Sequence, residues 1–165
     1  MIQLVIGGTL YDAGRYDETL VEVDKALKLS PDFLPVYLVR GRVFLVQNKI
    51  PEAIAEFEKV REKTGDTPFA LGYLGRAYAC AGRTNQARQV LEKLKSSSAS
   101  GGTASFAMAH VHLGLGELDQ AFAWLERAAD SREEDPRSWK YNPLLVNVVK
   151  DPRYAELLKK FGLDK

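Results

Sequence analysis

Apolar residues recur at i, i+4 and i+7 in three separate segments: Ala53, Phe57 and Val60; Ala87, Leu91 and Leu94; Ala121, Leu125 and Ala128. That spacing is one face of an α-helix. The leading alanines stand 34 positions apart (87−53 = 34; 121−87 = 34), and Ala155 follows at the same step. A fixed period of this size means one supersecondary unit used repeatedly. Other columns keep the register. Gly41, Gly75 and Ala109 form one, preceded by Gly7; Phe44, Tyr78 and His112 form another, preceded by Leu10; Gly14, Asn48, Gly82 and Gly116 form a column of turn residues. Each unit therefore reads as two helices around a turn. The pattern predicts helices at about 2–13, 16–29, 34–47, 51–63, 68–81, 84–97, 103–115 and 118–131. The small residue three positions before each ring lets the paired helix approach toward the ~8 Å end of the usual interaxial range. Pro51 and Pro68 suit a first helical turn, and Asp66 and Thr67 suit the cap before it.

Two stretches depart from the pattern. Ser96 to Gly102 has the composition of a flexible linker, but the 34-residue register passes through it unbroken, so it reads as the loop between two units. After Arg132 the columns degrade: Trp139 keeps an aromatic position, whereas Pro143 falls where Gly or Ala should stand and would break the first helix. Asp151 then reads as an N-cap and Pro152 as the first residue of a helix over about 152–161. That helix is expected to cover the last apolar face, as terminal repeats require. No equivalent cap is legible before residue 1, which raises the expectation of a truncated first unit or of a homo-oligomer contact there.

These residues resemble the tetratricopeptide repeat, whose helix–turn–helix signature has the same 34-residue period. The second unit carries the motif in Tyr37, Gly41, Phe44, Ala53 and Phe57, the third in Leu74, Gly75, Tyr78 and Ala87, and the first supplies Ala26 and Pro31. The fourth departs with Ala109 and His112 but keeps Ala121, Leu125 and Ala128. The resemblance implies an all-α, right-handed solenoid in one domain. Its repeats would fall at about 1–33, 34–67, 68–101 and 102–135, with a degenerate capping repeat over 136–165. The tail also looks like the C-terminal ends of bacterial proteins that carry such repeats behind a signalling or DNA-binding domain.

Composition narrows the function. Lys and Arg total 23 against 22 Asp and Glu, a formal charge of +1, so no basic footprint for nucleic acid is expected. The single cysteine, Cys80, allows no internal disulfide. No run reaches the ~18 apolar residues of a membrane span, and the apolar start lacks the basic leader of a signal peptide, so a cytoplasmic setting is expected. His110 and His112 lie two apart on a helix and face different ways, which disfavours a metal pair. His112 reads as a packed, hydrogen-bonded imidazole. No nucleophile–base set or phosphate-loop spacing is present, so neither an enzyme nor a cofactor is expected. The run Arg132-Glu133-Glu134-Asp135 reads as a solvated turn.

What remains is a binding surface. In the resembled family the first helix of each unit lines the concave side, and the position after the Gly/Ala column points into it. That column here holds Gly8, Arg42, Arg76 and His110. Its guanidinium groups suit carboxylates or phosphates of an extended partner; alternatively they are solvated, or pair with acids such as Glu52 or Glu117. Both arginines are expected at the surface. Neighbouring groove positions hold Tyr11, Leu38, Phe69, Tyr73 and Phe106, an apolar lining suited to a peptide or an amphipathic helix; alternatively several of them, Phe69 and Tyr73 included, pack inward between helices. The Lys/Asn carboxylate clamp of some family members is absent. The expected function is thus a non-catalytic scaffold that holds a peptide or helix of a protein partner in its concave groove, with acidic groups on that partner where the arginine column takes part. The alternative is an oligomerisation or regulatory arm of a larger bacterial regulator.

Overall fold

The computed structural model describes the backbone of residues 2–99 and 103–164. Eight helices follow one another in antiparallel pairs: α1 (Ile2–Asp12) and α2 (Tyr16–Leu29), α3 (Leu34–Val46) and α4 (Ile50–Thr64), α5 (Pro68–Cys80) and α6 (Thr84–Ala99), α7 (Ser105–Gly114) and α8 (Leu118–Asp130). Two 3-10 turns, Pro136–Tyr141 and Pro143–Leu145, lead into α9 (Val146–Lys150) and α10 (Pro152–Lys160). The pairs stack into an all-α solenoid in which each helix packs on its hairpin partner, and units join through α2 on α3, α4 on α5, and α5 and α6 on α7. No helix among the described residues is long and apolar enough to cross a membrane.

The turn column explains the repeated hairpin. Gly14, Asn48, Gly82 and Gly116 all adopt left-handed backbone, with φ of 74°, 58°, 72° and 75°. Beside each, the next amide returns to the carbonyl of the ring-column residue: Arg15 to Leu10, Lys49 to Phe44, Arg83 to Tyr78 and Glu117 to His112. This closure satisfies a carbonyl that the helix end would leave unpaired. The small column behaves as its spacing predicts. A Cβ on Gly41 would lie 2.5 Å from the Phe57 ring, and one on Gly75 would lie 2.7 Å from Val111.

The triplet columns form the core: Ala53, Phe57, Ala87, Leu94, Ala121, Leu125 and Ala128 are all fully enclosed. Ala155 is exposed, although it keeps the period. Its counterparts pack on the first helix of their own unit, and Pro143 has prevented such a helix from forming. Tyr154 and Leu157 are instead the residues α10 buries, against a cluster that includes Phe122, Leu125, Trp139 and Leu145. Asp151 caps α10 as expected, accepting from the Arg153 amide at 3.0 Å. The cap expected from Asp66 and Thr67 does not form: Thr67 makes no side-chain bond to its helix, and Asp66 pairs with Lys93 at 2.5 Å. The loop expected from Ser96 begins later, because α6 continues through Ala99; the rest of that stretch, 100–102, lies outside the described residues.

Candidate functional site

The first helices α1, α3, α5 and α7, which the resemblance puts on the inner side of the solenoid, carry side chains that form a nearly continuous ladder. The Arg42 guanidinium lies 4.2 Å from the Tyr11 ring centre and 5.8 Å from that of Tyr73. Tyr73 contacts His110 at 4.7 Å between centroids, His110 meets Phe106 edge-on at 4.8 Å, and Phe106 reaches Trp139 at 6.4 Å. The 34-residue period puts these groups on successive helices one unit apart, so one column of the sequence becomes one row on the surface. The expected column thus comes together, but not as open lining. Tyr11, Leu38, Tyr73 and His110 are buried, Arg42, Arg76 and Phe106 are half-buried, and Phe69 is exposed.

The reason is the C-terminal segment. Pro143–Leu145 packs on α3, and Leu144 is buried in the same apolar cluster as Leu38, Leu45 and Tyr73. Arg76 clamps this segment from α5: its Nη2 donates to the Leu144 carbonyl at 2.8 Å. Farther along, Tyr141, Asn142, Pro143 and Val146 face Asp12, Ala13 and Tyr16 across a shallow cleft, so the tail spans the inner side to the first unit. The sequence-based placement of both arginines at the surface is therefore corrected. Neither bonds to Glu52 or Glu117. Arg42 is sandwiched by aromatic rings, and Glu117 bonds to Arg88 and His112.

Arg76 also fixes the state of His110. Its Nη1 lies 3.1 Å from His110 Nδ1. A guanidinium only donates, so Nδ1 accepts and the ring proton sits on Nε2. Burial, together with the charges of Arg76 and Arg42, holds the imidazole well below its usual pKa. It is a neutral group at physiological pH. Among the described residues His110 Nε2 has no hydrogen-bond partner, and the same is true of Arg42 Nε and Trp139 Nε1 along the same ladder. Buried polar atoms are normally satisfied, so such a row calls for an explanation.

A cleft of about 180 Å³ opens beside this ladder, between the N-terminal ends of α5 and α7, walled by Phe69, Gly72, Tyr73, Phe106, His110 and Glu134. Two of its features were not legible in the sequence. Glu133 closes the start of α7, its carboxylate accepting from the amides of Ser105 at 3.3 Å and Phe106 at 3.1 Å. Glu134 is half-buried at the rim, and burial raises its pKa against the opposing charge of Arg42. The expected solvated turn is thus part of the site. Helix caps are sought within three residues of a helix start, whereas this one comes from 28 residues downstream.

Other assignments fall where expected. His112 Nδ1 lies 2.6 Å from Glu117 Oε2 at the α7–α8 turn, and Cys80 is free and exposed.

The tetratricopeptide repeat family model matches residues 4–70, 38–102 and 74–138. A TPR repeat-containing protein of Methanocaldococcus jannaschii is 32% identical over 69 residues, which cover 42% of this chain and 20% of that protein. The chain thus spans a fifth of that relative's length. The crystal structure of a tetratricopeptide repeat protein from Parabacteroides merdae superposes with a TM-score of 0.56 at 14% identity, covering 99% of this chain and 64% of that one. At this identity the likeness shows the fold alone.

Proposed function

The chain belongs to the tetratricopeptide repeat family, whose repeats generally mediate protein–protein interaction, and from that premise we propose that its inner face is a docking site for an extended segment of a partner protein. The cleft between α5 and α7 is the entry point. The observation that carries this reading is the cleft's chemistry: aromatic walls from Phe69, Tyr73 and Phe106 beside a buried imidazole whose Nε2–H lacks an acceptor. Peptide-binding grooves pair apolar pockets with a few fixed polar groups in this way. A backbone carbonyl of the guest would accept from His110 Nε2, and an apolar side chain would fill the space beside Phe69. No group that performs covalent chemistry is needed for this role. The acidic partner expected from the arginine column is not favoured, because Arg42 and Arg76 are engaged within the protein while Glu134 stands at the open rim.

Selection of a displayed random-peptide library on the protein tests this reading, with Phe69→Ser and Phe106→Ala as counter-selections. Selected peptides should lose at least ~10-fold in affinity on either variant, the cost of about 1.4 kcal/mol at one apolar anchor. Unchanged affinity on both would move the site off the inner face.

One observation favours a second role in self-association. Val5 and Ile6 of α1 are 65% and 42% exposed, whereas their counterparts are half-buried one unit on, Val39 and Arg40, and buried two and three units on, Tyr73, Leu74, Ala107 and Met108. A second copy of the chain would cover the exposed pair. Sedimentation of wild type beside Val5→Glu/Ile6→Glu tests it. A concentration-dependent dimer lost in the variant supports the contact, and a monomer at every concentration removes it.

A further inference from the structure

We propose that the C-terminal segment around Asn142–Leu145 is a built-in occupant of the groove, and that the groove accepts in its place a partner segment of the same chemistry. That chemistry is a proline followed by a leucine whose backbone carbonyl faces Arg76. This rests on the reading of the inner face as a peptide site and adds its specificity and its regulation.

The two consecutive leucines part company. Leu144 is buried in the cluster built by α3 to α7, whereas Leu145 is buried with Trp139, Tyr154 and Leu157 in the C-terminal cap. The segment is thus anchored on the cap and presents one side chain and one carbonyl to the groove. Its shape is set locally. Pro143 fixes the turn, and Asn142 Oδ1 accepts from the Leu144 amide at 3.1 Å, so the segment keeps its own amide satisfied and offers the groove only its carbonyl. Arg76 answers that carbonyl at 2.8 Å with one amine and holds His110 with the other. The guanidinium therefore joins the occupied part of the groove to the open cleft, and a guest entering at His110 meets the internal segment next. Its flanks are wet, with Tyr141 58% and Val146 46% exposed, whereas Asn142 and Pro143 are half-buried and Leu144 is buried. A guest must therefore re-cover what the segment covers, which is why it has to carry the same chemistry. A tethered occupant acts at an effective concentration in the millimolar range, so wild type should resist a free competitor.

The test uses a fluorescein-labelled peptide with the sequence of residues 139–148, followed by polarisation against wild type, Leu144→Ala and Asn142→Ala, each checked for native helicity. Leu144→Ala empties the groove of its side chain, and Asn142→Ala loosens the segment by removing the acceptor of the Leu144 amide while Leu144 itself is kept. The expected result is weak binding to wild type and at least ~10-fold tighter binding to both variants. A peptide carrying Leu144→Ala should bind none of the three. Equal affinity for wild type and variants, or no binding to folded variants, overturns the proposal. So does failure of both variants to fold, which would make the segment an obligatory part of the core. Library-selected peptides, which enter at the cleft, serve as the control. If they bind Leu144→Ala while the 139–148 peptide does not, the built-in occupant is refuted and the peptide site stands; if neither binds, the peptide site fails as well.

Discussion

Arg76→Glu should unfold the inner face from its centre. The wild-type guanidinium makes two hydrogen bonds, to the Leu144 carbonyl at 2.8 Å and to His110 Nδ1 at 3.1 Å. Bonds from a charged donor are worth about 1.5–3 kcal/mol each, so losing both costs about 3–6 kcal/mol. The substitution also sets a carboxylate against the Leu144 carbonyl oxygen, an acceptor it cannot satisfy. For a chain of 165 residues, at roughly 2–4 °C per kcal/mol, the melting midpoint should fall by about 10 °C. The assay is thermal melting followed by circular dichroism at 222 nm. Arg76→Lys should fall between the two, because an ammonium can reach one partner but not both in the fork geometry. Arg88→Ala is the control: Arg88 also bonds to a residue 29 positions away, Glu117, but across an exposed surface, where such pairs are worth under about 1 kcal/mol. A midpoint for Arg76→Glu within about 2 °C of wild type would refute the enclosure of Arg76 and restore it to the open surface that sequence spacing alone suggests.

Two further outcomes follow from packing and from charge. Gly72→Ala should destabilise by about 1–3 kcal/mol in denaturant melts, because its Cβ would lie 2.8 Å from the Ala107 Cα, a backbone atom that cannot swing aside; Gly8→Ala, on α1 with nothing within 4 Å of its Cβ, serves to separate crowding from glycine effects in general. Lowering the pH should also cost stability through His110. Its folded-state pKa is depressed by burial and by Arg76 and Arg42, so the unfolded chain binds the proton more readily. The contribution is fully present above the unfolded value of about 6.5 and is lost as pH falls below it, with a slope of up to about 1.4 kcal/mol per unit. The carboxylates whose pKa is lowered by partners, Glu18, Glu117, Asp135 and Asp151, add their losses only at more acidic pH. Chemical denaturation at pH 7.5, 6 and 5 should show the decline in wild type and not in His110→Gln; parallel declines in both would assign it elsewhere.

The repeats were legible because their information is local. A helix face is written at i, i+4 and i+7, and a left-handed turn is written in Gly14, Asn48, Gly82 and Gly116, so helix bounds from spacing fall within three residues of those observed. The same period correctly aligned Arg42, Arg76 and His110 in one row. It could not show what lies on that row. Pro143 announced that a fifth first-helix would fail, but not that the released segment would turn inward and seat Leu144 between α3 and Arg76. That outcome depends on contacts 68 positions apart, which no periodic pattern carries. Ala155 makes the complementary point: it keeps the register but lies exposed, because the helix that buries its counterparts is missing. Glu133 and Glu134 look like ordinary surface acids from their neighbours, and only the return of the chain to the start of α7 makes one a cap and the other a rim.

The most direct test of the inner face as the docking site is the imidazole nitrogen spectrum of His110 during titration with a library-selected peptide. His110 is buried, neutral and lacks an acceptor for its Nε2–H, and it sits between the open cleft and the clamped segment. The account predicts an Nε2-protonated ring in the free protein, and a shift of the Nε2 resonance that saturates with peptide as a carbonyl takes the free donor. His112, hydrogen-bonded to Glu117 at the far end of α7, should stay unchanged. A peptide that binds with His110 unmoved would contradict the account and place recognition on another face of the solenoid.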